Sequence, residues 1–90
     1  MKFEWDENKA AANLAKHGIS FDMAARVFFD PMHFSTPDTK HDYGEQRINT
    51  TGSTDGILIA TVTHTDRNGI TRIISARHAS RKERKKYHHV

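Results

Sequence analysis

Glu45 and Arg47 stand two residues apart in the run GEQR, so on an extended strand both side chains leave one face. A carboxylate can accept a proton and a guanidinium can hold phosphate charge, so the pair suits work on a phosphodiester. It also suits a plain exposed ion pair, which is worth little. Arg72 and Arg77 bracket a second run, RIISAR. Strict alternation groups Arg77 with Thr71, Ile73 and Ser75, and puts Arg72 on the other face with Ile70, Ile74 and Ala76. Arg72 then reads as a sheet-edge residue or as the partner of a buried carboxylate. Arg77 falls where a strand gives way to a basic segment that includes Arg81 and Lys82. The planar fork of arginine donates two bonds to a phosphate at once. An open polar face of this kind, beside a basic helix, suits an RNA backbone. Tyr87 is placed either to stack on a base or to pack on the sheet. His17 closes a predicted helix, where it serves as a C-terminal cap or as a functional group. His64, just before the turn at 66–69, reads as a surface residue.

These side chains need elements to hold them. Lys2 to Trp5 is a short strand. Asp6 is an N-cap for a helix over 7–17, with Ala11, Leu14 and Ala15 on one face and Gly18 as its C′ residue. Ser20 caps a second helix, in which Phe21, Ala24, Ala25 and Phe28 recur at helical spacing until Asp30-Pro31 ends it. Residues 31–43 read as a loop or an irregular strand around 32–35. Strands follow over 45–51, 57–64 and 70–77, joined by the hairpin signals Asp55-Gly56 and Asn68-Gly69. Ser80-Arg81-Lys82-Glu83 is a capping box that opens a final helix over 81–87. The fold class is α+β, ordered β-α-α-β-β-β-α, an antiparallel sheet with helices mainly on one face. Phe3, Trp5, Phe21, Phe28 and Phe29 supply most of its aromatic core.

Composition narrows the function. Ninety residues suit one domain over 1–90. With no cysteine, disulfides, thiolate nucleophiles and cysteine metal sites are excluded. Among the seven histidines no two sit four apart on a predicted helix, so no metal site is expected, and His88-His89 lies at the end of the last helix. No phosphate-binding glycine loop, dinucleotide fingerprint or nucleophile elbow is present, so no cofactor is expected. No signal-peptide core or membrane-length apolar run occurs, and the expected location is the cytoplasm. The net charge of +3 is split: residues 1–66 carry six Lys/Arg against ten Asp/Glu, and residues 67–90 carry eight against one. The second block attracts polyanions.

Taken together, FEWDENK (3–9), NLAKHGISFDMAARVFFDP (13–31), GEQR (44–47), DRNG (66–69), RIISARHASRKER (72–84) and Tyr87 resemble the BrnT toxins, part of the RelE-like group of type II toxin–antitoxin systems. The resemblance implies a RelE-like fold and a ribonuclease that arrests translation. It also implies a BrnA-like antitoxin with a ribbon-helix-helix DNA-binding part, so that DNA is met only through the toxin–antitoxin complex. Carried over residue by residue, it marks Lys16 and His17, Glu45 and Arg47, Arg72 and Arg77, and Arg81.

The expected reaction is metal-independent attack of the RNA 2′-hydroxyl on its own phosphate, giving a 2′,3′-cyclic phosphate and a 5′-hydroxyl. Glu45 is the expected base and Arg77 the phosphate clamp, with Arg47 and Arg72 in support. Lys16, His17 and Tyr87 are candidates for acid or orientation, and Arg72, Arg81, Lys82 and Tyr87 for RNA binding. The scheme requires the arginines to converge on a single phosphodiester. The rivals are a non-catalytic RNA-binding module, a DNA-binding regulator acting without a partner, and an inactive toxin kept as a subunit of a repressor complex.

Overall fold

A computed structural model describes residues 1–39 and 44–88. The part of the predicted loop over 40–43, and the terminal pair 89–90, lie outside the described residues. The elements in chain order are β1 (Lys2–Glu4), α1 (Glu7–His17), α2 (Phe21–Ala25) running into a 3₁₀ turn (Arg26–Phe29), β2 (Phe34–Pro37), β3 (Ile48–Thr54), β4 (Leu58–Arg67), β5 (Ile70–His78) and α3 (Arg81–His88). No helix among them is long and apolar enough to cross a membrane.

Local chemistry sets the boundaries. The Asp6 carboxylate accepts from the N–H groups of Asn8 and Lys9 at 2.8 and 3.1 Å, and Gly18 closes α1 at φ 72°. The Ser20 hydroxyl caps α2 through Met23 N–H. Both predicted hairpins form, with positive φ at Asp55, Gly56, Asn68 and Gly69: residues 68–69 make a primed two-residue turn, and residues 55–57 a three-residue loop between the paired Thr54 and Leu58. The capping box is closed in both directions: Glu83 N–H donates to Ser80 Oγ at 3.1 Å, and Ser80 N–H to Glu83 Oε1 at 2.8 Å.

The sheet has five strands in the order β1-β5-β4-β3-β2. Its inner pairings are the expected antiparallel meander. The outer two were not read from the sequence. β2 adds an antiparallel edge, and β1 pairs parallel with β5, Lys2 opposite Ile70 and Glu4 opposite Arg72, so the sheet is mixed rather than purely antiparallel. β3 starts at Ile48 and not at Glu45. Its neighbour there is Pro37, which has no N–H to continue the ladder, and one further bond from Asp38 N–H to Arg47 C=O ends the pairing.

Ile19, Phe21, Ala24 and Val27 pack on Ala60, Val62, Ile73 and Ala76, with Phe3, Trp5 and Phe28 around them. Phe29 is the exception among the expected core aromatics, at 66% exposed. In α1 the expected apolar residues share one face, but it is not the buried one. Ala11, Leu14 and Ala15 face outward, and Ala10 and Asn13 face in. The reason is polar. The Asn13 carboxamide accepts from Ala76 N–H at 3.0 Å and donates to Ile19 C=O at 2.9 Å, satisfying backbone that an apolar residue would leave unpaired.

Candidate functional site

Strand pairing decides which side chains share a face, because residues opposite each other across a ladder project to the same side. Val62, Ala60 and their partners Thr50, Gly52 and Ala76 face the α1–α2 layer. Thr61, Thr63 and Thr65 alternate with them and face the other way. Their partners on β5 are Arg77, Ser75 and Arg72. Strict alternation along β5 would separate Arg72 from Arg77, five residues apart. A β-bulge prevents it: Thr63 opposes Ser75 while His64 opposes Ile73, leaving Ile74 as the extra residue. Ile73 and Ala76 therefore both enter the core, and Arg72, Ser75 and Arg77 line the open face together.

That face is polar throughout its centre. One row across it is Phe34, Thr51, Thr61 and Arg77, and the next is Thr36, Asn49, Thr63 and Ser75. α3 lies against the first row and turns Glu83 inward. Glu83 accepts from Arg77 Nη1 at 2.7 Å and Nη2 at 3.1 Å, and from Thr61 Oγ1 at 3.0 Å. Thr61 Oγ1 is in turn 2.7 Å from Thr51 Oγ1. The Arg77 fork, with help from Ser80 N–H and Thr61 and against the effect of burial, holds the Glu83 carboxyl down at about 2. The same contact raises the pKa of Arg77. Beside this unit opens a groove of about 370 Å³, lined by Thr36, Asp38, Asn49, Thr63, Arg77 and Glu83 among others. Its size falls in the ~300–1,000 Å³ range of small-ligand sites.

The other expected residues distribute unevenly. Arg72 shares the open face and pairs at 2.6 Å with Glu4, a carboxylate that is partly exposed rather than buried. Glu45 sits before β3, where Arg67 binds it at 2.9 Å and lowers its pKa. Thr61 and Thr65, opposite Arg77 and Arg72, are four residues apart, a span of roughly 13 Å along a strand. Arg77 and Arg72 thus share a face but are held by different carboxylates, Glu83 and Glu4, and Glu45 lines a second groove, with Thr65 and Arg67. Arg47 is half-buried beside it. Arg81 and Lys82 lie exposed on the first turn of α3, while Lys16 and His17 end α1, which packs on β5 from the core side. Tyr87, one turn beyond Glu83, donates to Asp30 Oδ2 and is raised to about 12 by that bond and by burial. Asp30 also accepts from Ser53 N–H at 2.7 Å, so Tyr87 fastens α3 to the rest of the molecule. His64 is not a surface residue. It is 8% exposed, edge-on to Phe28, with Nε2 2.7 Å from Thr50 Oγ1.

Sequence reasoning overlooked Glu83, Thr61, Asn49 and Thr63. Glu83 was absorbed by its capping role. The threonine–asparagine face carried a readable signal, the alternation T-V-T-H-T over 61–65, which puts every second hydroxyl on one side.

A family model described as "Ribonuclease toxin, BrnT, of type II toxin-antitoxin system" matches residues 5–83. The crystal structure of the Brucella abortus ribonuclease toxin BrnT is similar, with a TM-score of 0.70 and 27% sequence identity. The match covers 90% of this chain and 99% of that one. A comparison with curated protein sequences gave no match.

Proposed function

We propose, for a chain that belongs to the BrnT family of ribonuclease toxins of type II toxin–antitoxin systems, that the open face around Arg77 is where RNA is cut. The observation that carries this reading is the Arg77–Glu83–Thr61 unit at the side of a polar groove. A phosphate entering the groove competes with Glu83 for the Arg77 fork. As the fork turns to the phosphate, the Glu83 carboxylate loses the contact that holds its pKa low, and becomes a better base. It then takes the proton of the neighbouring 2′-hydroxyl. The 2′ oxygen bonds to phosphorus, the bond to the 5′ oxygen breaks, and that oxygen is protonated by water in the open groove. Arg77 neutralises the charge that builds on the phosphate. The reaction needs no metal, and leaves a 2′,3′-cyclic phosphate and a 5′-hydroxyl.

In this scheme Glu83 replaces Glu45 as base, because Glu45 belongs to the other groove with Arg67. Glu45, Arg47 and Arg72 bind the flanking RNA, as do Arg81 and Lys82 from α3. Lys16 and His17, at the end of a helix on the core side of the sheet, are assigned no part in the reaction. Tyr87 is assigned no proton transfer either, since its hydroxyl is engaged by Asp30. Cutting RNA would arrest translation in the cytoplasm, and a BrnA-like ribbon-helix-helix antitoxin would cover the face and carry the complex to DNA.

The test is cleavage of an RNA oligonucleotide by the purified chain, with product ends identified by mass. Arg77→Ala and Glu83→Gln are expected to lose about 10²–10⁴ in rate. Glu83→Gln keeps an acceptor for the cap, so loss of folding is separable by circular dichroism. Full activity in either variant, or abolition of wild-type cleavage by chelator, would overturn the scheme.

A further inference from the structure

Away from the open face, a groove of about 260 Å³ has no part in the scheme above. It lies on the helical side of the sheet, between α1 and the start of α2, and is lined by Trp5, Glu7, Ala11, Leu14, Phe21 and Asp22 among others. Phe21 is buried, and Trp5 meets it edge-on with ring centroids 5.9 Å apart. The Trp5 indole N–H donates to Glu7 Oε1 at 3.1 Å, which holds the ring in place. Leu14 adds apolar surface that is 51% exposed. Every charged residue of the lining is acidic: Glu7 and Asp22, both exposed, each in the first turn of its helix. Among the described residues neither carboxylate is in an ion pair. Negative charge suits a helix start whether or not anything binds there. It does not account for the apolar surface beside it.

We infer that this groove takes the side chain of an arginine from a protein partner, with aliphatic residues next to that arginine in the partner's sequence. An arginine is apolar along its stem and charged only at its head. The stem lies on Leu14, Ala11 and Trp5, and the guanidinium meets Glu7 or Asp22. Its planar fork and weak hydration favour it there over lysine. The same two carboxylates repel a phosphate backbone, so the occupant is a basic polypeptide and not RNA. The groove lies on the side of the sheet opposite Arg77, so a partner anchored here leaves Arg77 free of that contact. The inference does not depend on reading the open face as the RNA site.

Trp5 is the only tryptophan of the chain, so its fluorescence reports this groove alone. The probes for the whole chain are capped Leu-Arg-Leu and the same tripeptide with citrulline, a neutral isostere, in place of arginine. The arginine peptide is expected to change Trp5 emission saturably and to bind about fivefold more tightly than its counterpart, the upper scale of an exposed ion pair. Glu7→Gln combined with Asp22→Asn is expected to bring that ratio to about one, while glutamine keeps an acceptor for the Trp5 N–H. Leu14→Ala is expected to weaken both peptides and preserve their ratio, and Arg77→Ala to change neither. Circular dichroism verifies the fold of each variant, and Asp22→Asn alone, expected to reduce the ratio, serves if the double variant does not fold. Equal binding of the two peptides, no saturable change in emission, or an undiminished ratio without the carboxylates would overturn the inference. So would an RNA oligonucleotide that changes Trp5 emission as strongly as the arginine peptide. A chain that cuts RNA and ignores both peptides would sink this site and leave the nuclease reading standing.

Discussion

His64 shows what a single buried side chain does to the molecule's response to acid. Burial pushes its pKa from 6.5 down to about 4, outweighing the attraction of Asp66. In the unfolded chain it titrates near 6.5. Between those values the unfolded state binds the proton and the folded state does not, so stability is full above pH 6.5 and falls as pH drops toward 4. The slope from this one group is at most about 1.4 kcal/mol per pH unit. Urea unfolding at pH 7, 6 and 5 is expected to show it, and His64→Gln, which keeps a hydrogen-bonding group opposite Thr50, is expected to remove it. Identical slopes in the two proteins would refute the assignment. Glu83 acts in a lower window: with its folded pKa held at about 2, its contribution is present above pH 4.5 and lost only as pH falls toward 2. At this scale the sequence was legible for charge and for caps. It was not legible for His64, because a histidine beside a turn carries no mark of the phenylalanine that will cover it.

Elements were read more successfully where the signal was local. The two hairpins, the three helix starts and the glycine stop after α1 all follow from residues within a few positions of one another. β1 and β2 were poorly legible as sheet members because each is short, at three and four residues, and is ordered by a distant partner. The bulge at Ile74 was invisible for a similar reason: it is a mismatch between two strands, and neither strand alone records it. Gly52 belongs to this scale too. It stands mid-strand in β3, and an added Cβ would lie 3.0 Å from Val27 Cγ1, 3.0 Å from His33 Cβ and 3.2 Å from Val27 O. The missing side chain lets the 3₁₀ turn sit directly on the sheet. Gly52→Ala is therefore expected to destabilise by about 1–3 kcal/mol through overpacking. An unchanged denaturation midpoint would show that the turn moves aside at little cost.

The charge division of the whole molecule is modified by its own folding. Arg67 and Arg72 each meet a carboxylate from outside residues 67–90, and Arg77 meets the block's one acidic residue, Glu83, so the open face is less cationic than residues 67–90 suggest. The exposed positive charge is concentrated on α3, at Arg81, Lys82, Arg84 and Lys85. RNA affinity is expected to fall with salt mainly through these residues, each contributing about 0.7 to the log–log slope for a single strand. Lys82→Gln with Lys85→Gln should therefore lower the slope by about 1.4. A slope that responds to Arg72→Gln and not to the pair would relocate the binding face. The charge asymmetry was plain in the sequence, but its partial cancellation depends on pairs such as Glu4 with Arg72, 68 residues apart, and only the fold brings those together.

The parallel seam between β1 and β5 also has a bearing on synthesis. The amino-terminal strand reaches the growing chain's exterior early and has nothing to join until residues 70–72 follow it. Arg77 and Glu83 emerge later still. The sheet therefore closes only after the meander has been made, and the groove proposed as the RNA site gains its Arg77–Glu83 pair later than the strands that floor it.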